Sequence, residues 1–147
     1  MINIILGAVS LGLLWAIMTT GVFLTYRVLD YADLSVEGSI VMGAAIVAKL
    51  ITSGADPIIA TVVAFAGGLV AGVVTGLLNT KLKIPSLLAG ILTMIALYSV
   101  NIRIMGKANI TLLKSKTIFT MVESIGLKGN VGVIVVAVII NAVIAAA

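Results

Sequence analysis

From Met1 through Tyr26 the chain carries no charged side chain, and from Pro57 through Thr80 it again carries none. Each run exceeds the roughly 20 residues that cross a bilayer core as an α-helix rising about 1.5 Å per residue. Such runs leave little choice of fold. In lipid every backbone N–H and C=O must find its partner within the protein, so the chain is expected to be an all-α integral membrane protein, a polytopic helical bundle. Composition points the same way: 62% hydrophobic residues, 10% charged and a mean hydropathy of +1.34 lie outside the soluble range.

The spans are placed at residues 2–26, 34–53, 57–80, 84–105 and 131–147, with a surface segment over 107–129. The first has no basic residue ahead of its apolar core, so it reads as a retained span and not as a signal peptide. The fourth is opened by Pro85, whose missing N–H costs nothing at a helix start. The fifth stops where the chain stops, which reads as a span cut short. The second is the ambiguous one, because the uncharged stretch from Gly38 to Ala48 is too short to cross alone. If that helix begins near Asp33 and runs to about Ser53, Lys49 can snorkel to an interface while Glu37 must lie in a protein-lined or wet region. Gly54-Ala55-Asp56-Pro57 then forms a tight hairpin turn, since Gly suits the end of one helix and Pro the start of the next. The segment from Lys107 to Gly129 mixes apolar residues with Lys114, Lys116 and Glu123, as a loop lying on the membrane surface would.

With no cysteine and no histidine, disulfides, thiolate metal sites, a cysteine nucleophile and the common zinc and acid–base apparatus are excluded. The net charge of +4 comes from basic residues scattered between spans without an aromatic stacking set, so it reads as headgroup contact with membrane lipid and not as nucleic-acid binding. No metal and no catalytic residue is expected.

In the third apolar run Ala60, Ala64, Gly68, Gly72 and Gly76 recur every four residues, with Gly67 beside them. Close backbone approach through small side chains supplies helix packing in lipid, where there is no hydrophobic drive between helices. The stripe is therefore expected to be a helix-packing seam, within the chain in preference to a dimer face.

Charge sits most oddly in the run from Arg27 to Met42, which holds Asp30, Asp33 and Glu37, three of the five acids. Their spacing would gather them on one face of a continuous helix, where they repel. A break between Asp30 and Ser35 relieves the conflict: Asp33 or Ser35 caps a new helix and Glu37 falls in its first turn, where the dipole favours anions. A broken helix near Asp33 to Gly38 is thus expected. Two other readings stay open, a plain loop with Glu37 solvated, and a small proton-coupled carrier or channel in which Glu37 is a membrane-embedded acid. A structural membrane subunit with no transport role is a further class.

Asp33-Leu34-Ser35-Val36-Glu37-Gly38-Ser39 followed by Gly43-Ala44 resembles the signature of ABC transporter permeases of the branched-chain amino acid and ribose type. Gly72-Val73-Val74-Thr75-Gly76-Leu77-Leu78-Asn79, then Leu82-Lys83-Ile84-Pro85-Ser86 and Gly90-Ile91-Leu92-Thr93-Met94, resemble the same family in the same order. The wording around Glu37 and from Asn101 to Gly106 is most similar to permeases for amino acids, the tryptophan or tyrosine type among them. The resemblance implies the membrane-spanning subunit of an ATP-driven importer in a bacterial plasma membrane. It does no chemistry itself and needs no cofactor; a partner ATPase subunit would bind ATP, an extracytoplasmic binding protein would deliver substrate, and a second permease subunit would complete the path. Asp30, Asp33, Ser35, Glu37, Gly38 and Ser39 are the implied translocation-path or helix-break residues. Permeases of this family are longer and carry a cytoplasmic coupling helix beyond the fifth span, so the chain is expected to be an N-terminal half that does not transport alone. The resemblance also places Lys81 and Lys83 in the cytoplasm, against the positive-inside count, in which Lys49, Arg103, Lys107, Lys114, Lys116 and Lys128 outnumber Arg27, Lys81 and Lys83.

Overall fold

A computed structural model describes residues 1–112, 120, 121, 124, 126 and 130–146. Most of the expected surface segment, with Lys114, Lys116, Glu123 and Lys128, lies outside the described residues. The protein is a helical membrane bundle, without strands among the described residues. Among the described residues the helices with given bounds are α1 (Ile2–Leu29), α2 (Val36–Thr52), α3 (Pro57–Thr80), α4 (Ser86–Met105) and α5 (Asn130–Ala146). Of these α1, α3 and α4 are long and apolar enough to cross a membrane, while α2 has 17 residues and the apolar part of α5 spans Val131–Val143.

Each boundary has a local cause. Asp30 ends α1 by entering the left-handed region at φ 50°, ψ 39°, which Asp tolerates better than most residues, and the N–H of Tyr31 after it donates to Thr25 O at 3.3 Å. The chain stays non-helical through Leu34 before α2 begins. Gly54, at φ 91°, turns the chain out of α2, and its N–H donates to Ile51 O at 3.1 Å. Asp56 then caps α3, its Oδ1 accepting from the Ile58 N–H at 2.9 Å with Pro57 in the first turn. At the far end of α3, Asn79 Nδ2 donates to Ile84 O at 2.9 Å and closes the turn into α4.

Two packed groups result. In the first, α2 lies against both α3 and α4, and α3 against α4; in the second, α5 packs along α1. Because α3 returns the chain, α2 and α4 run parallel: Leu34 meets Gly90, Gly38 meets Met94 and Leu97, and Lys49 lies near Gly106. Buried and half-buried polar side chains join the helices. The Thr75 hydroxyl donates to Thr93 Oγ1 at 3.0 Å and Thr93 donates to Ala89 O, while Asn141 Nδ2 on α5 donates to Leu13 O at 3.2 Å.

The packed face of α3 runs through Ala60, Ala64, Gly67, Ala71 and Thr75. Ala60 and Ala64 of the four-residue stripe lie on it, but Gly68, Gly72 and Gly76 have no atom within 4 Å of the place a Cβ would take. The physical reason is the helix period. A step of four residues advances about 40° beyond a full turn, so a strict every-four stripe winds off the contact face.

Candidate functional site

Six residues of the sequence-predicted set fall in or beside the break between α1 and α2. Asp30 is the exposed left-handed cap of α1. Asp33 folds back on the chain, Oδ1 accepting the Ser35 N–H at 2.8 Å, the turn that short acidic side chains favour. Ser35, 2% exposed, opens α2, and the Ser39 hydroxyl donates to Ser35 O at 2.9 Å. Glu37 is exposed in the first turn of α2, and Gly38 is buried.

The segment is seated on α4 by two glycines. A Cβ on Gly90 would stand 2.7 Å from the Leu34 backbone nitrogen and 3.3 Å from Asp33 Oδ1. One on Gly38 would stand 3.2 Å from the Met94 Cα. Backbone therefore lies on backbone, as helices in lipid require for tight packing. Asn101, 3% exposed, adds a polar tie: Nδ2 donates to Gly38 O at 3.3 Å, while Oδ1 is buried without a partner.

These contacts fix depth. Met94 and Leu97 flank the middle of the 20-residue α4, so Gly38 lies about 12–17 Å in from the start of that helix. On the same scale Leu34, which meets Gly90, lies about 6 Å in from that start, so the chain enters α2 near one end of α4 and brings Glu37 toward its middle. Where that entry meets α4, its backbone is covered by Gly90. A groove of about 340 Å³ opens beside it, lined by Glu37 and Val41 from α2 and by Met94, Ile95, Tyr98 and Asn101 from α4. Gly90, Tyr98 and Asn101 are unremarkable polar or small residues in the sequence of α4; their role comes from the register of α4 against α2. Among the described residues no cluster of acids, His or Cys could hold a metal ion.

Charge-poor helices, packed through glycine and threonine around a break between α1 and α2, make this a multi-pass helical membrane protein. The sequence pattern of the family described as "Branched-chain amino acid transport system / permease component" matches residues 4–147, and the chain belongs to that family. It is 49% identical over 115 residues to a tyrosine transport system permease protein of Clostridioides difficile (strain R20291), covering 78% of this chain and 39% of that protein. It is 33% identical over 121 residues to an uncharacterized protein of Rickettsia prowazekii (strain Madrid E), covering 82% of this chain and 42% of the other. The chain thus spans about two fifths of the length of the curated relatives it matches. No solved structure matches it.

Proposed function

We propose that this chain is part of the membrane-spanning subunit of an ATP-driven importer of amino acids, tyrosine or a related aromatic amino acid among them, in a bacterial plasma membrane. The observation that carries the reading is the 49% identity over 115 residues to a tyrosine transport system permease protein. In this reading the subunit does no chemistry and holds no cofactor. ATP is bound and hydrolysed by a separate ATPase subunit, an extracytoplasmic binding protein delivers substrate, and a second permease copy completes the path. Asp30, Asp33, Ser35, Glu37, Gly38 and Ser39 shape one wall of that path.

The test is purification of the full-length permease together with its associated ATPase, followed by reconstitution into vesicles with the binding protein. Uptake of labelled tyrosine that needs ATP on the ATPase side and stops with vanadate is the expected result. Uptake driven by a proton gradient alone, and lost in Glu37→Gln, would sink the proposal in favour of a proton-coupled carrier. Purification without any ATPase would point to a structural membrane subunit.

A further inference from the structure

We infer that the groove between α2 and α4 receives the ammonium group of an amino acid as it crosses the membrane, an assignment that rests on the import reading above. Three observations converge on it. The first is position. Glu37 is exposed on the surface of the helix group yet level with the middle of α4. A carboxyl group at that depth cannot face lipid without a cost of several kcal/mol, so the groove it lines faces water or protein.

The second is the chemistry of the lining. Three polar residues stand in an otherwise apolar wall: Glu37, Tyr98, which is 68% exposed, and Asn101, which is 3% exposed. Asn101 has Nδ2 engaged with Gly38 O, and its Oδ1 is a buried acceptor that nothing in the protein satisfies. A buried acceptor left unpaired costs free energy that a donor recovers. No Lys or Arg lines the groove, so it offers nothing to a carboxylate or phosphate. A primary ammonium supplies three donors and a positive charge, and it suits a carboxylate, an amide oxygen and an aromatic face together.

The third is shape. Val41, Met94 and Ile95 make the rest of the wall apolar over a volume of about 340 Å³, within the range of small-molecule sites. The ammonium sits at the polar end while an apolar or aromatic side chain lies along Met94 and Ile95.

The test uses the full-length permease in nanodiscs, without binding protein, and reads ligand contact by saturation-transfer NMR. The probes are phenethylamine, phenylalanine and 3-phenylpropionate, which share a ring and differ in their charged groups. Phenethylamine and phenylalanine are expected to bind and 3-phenylpropionate is not. Glu37→Gln should weaken the amine probes roughly tenfold to a hundredfold, as loss of a charged hydrogen bond does, while Glu37→Asp keeps the preference for amines. Should Glu37→Gln fail to fold, Glu37→Asp and Tyr98→Leu carry the comparison, the latter weakening amines more than it changes thermal stability. Equal binding of all three probes overturns the inference. So does amine binding indifferent to a folded Glu37→Gln; if that variant also loses thermal stability, the carboxylate pairs with a cation of the protein itself. ATP-driven uptake by the wild type alongside either result leaves the import reading standing, whereas its absence removes both.

Discussion

Gly90 and Gly72 both lie in long apolar helices, but their surroundings demand opposite outcomes on substitution. At Gly90 a methyl group would push into the Leu34 backbone, which cannot move away without shifting the whole segment before α2. At Gly72 nothing of the chain lies within 4 Å. Gly90→Ala is therefore expected to destabilise by about 1–3 kcal/mol through overpacking, whereas Gly72→Ala gains up to about 1 kcal/mol of helix propensity. Gly38→Ala falls between, because its neighbours include the Leu97 side chain as well as the Met94 backbone. Thermal unfolding of the chain in detergent ranks the three; a Gly72→Ala loss as large as that of Gly90→Ala would mean that α2 does not seat on α4 as described. Tyr31 tests the same segment from inside the break. Its hydroxyl is buried without a partner, so Tyr31→Phe removes an unsatisfied group and is expected to be neutral or to stabilise by up to about 1 kcal/mol in the same assay.

At the scale of elements, the Thr75–Thr93 hydrogen bond is the polar link between α3 and α4, with both residues at most 2% exposed. Each hydroxyl is also within bonding distance of the carbonyl four residues back, so neither is stranded when the other is removed. A double-mutant cycle with Thr75→Val and Thr93→Val should return a coupling of only about 0.6 kcal/mol, the usual size for interhelical bonds in membrane proteins. A coupling of zero would place the two helices further apart than 3.0 Å between hydroxyls allows. Much of this level was legible in the sequence, for reasons that are local. Charge-free runs gave the helices α1 and α3, Gly54 to Pro57 gave the hairpin, and the repelling acids Asp30, Asp33 and Glu37 gave the break. What was not legible is relational. The sequence of α2 does not say that Gly38 will stop level with the middle of α4, and that register alone turns Asn101, an ordinary membrane-helix polar residue, into part of a groove. The four-residue stripe is only half used within the chain for a similar reason, since its regularity in sequence ignores the turn of the helix that carries Gly72 off the face against α2 and α4.

For the molecule as a whole, the decisive question is where water reaches. The α2–α3–α4 group presents an apolar exterior, with Val62, Phe65 and Val73 of α3 each at least 60% exposed, and this surface belongs against lipid or other protein. Glu37 interrupts that rule at mid-span, and a groove that carries a solute must be wet where Glu37 stands. The chain has no cysteine of its own, so single cysteines report cleanly. In membranes, Glu37→Cys is expected to react with a water-soluble, membrane-impermeant thiol reagent within about a tenfold factor of the rate at Ala55→Cys, in the hairpin turn, since water-exposed thiols differ mainly in the thiolate fraction their surroundings allow. Val62→Cys, as exposed within the chain but on the apolar face, should stay unlabelled over the same time, because the reagent is charged and a thiol against lipid remains protonated. Labelling of Glu37→Cys should also slow when phenethylamine fills the groove. An unlabelled Glu37→Cys beside a labelled Ala55→Cys would mean that the carboxyl group at mid-span is covered by protein, and the path of the solute would then have to run along another face of the bundle.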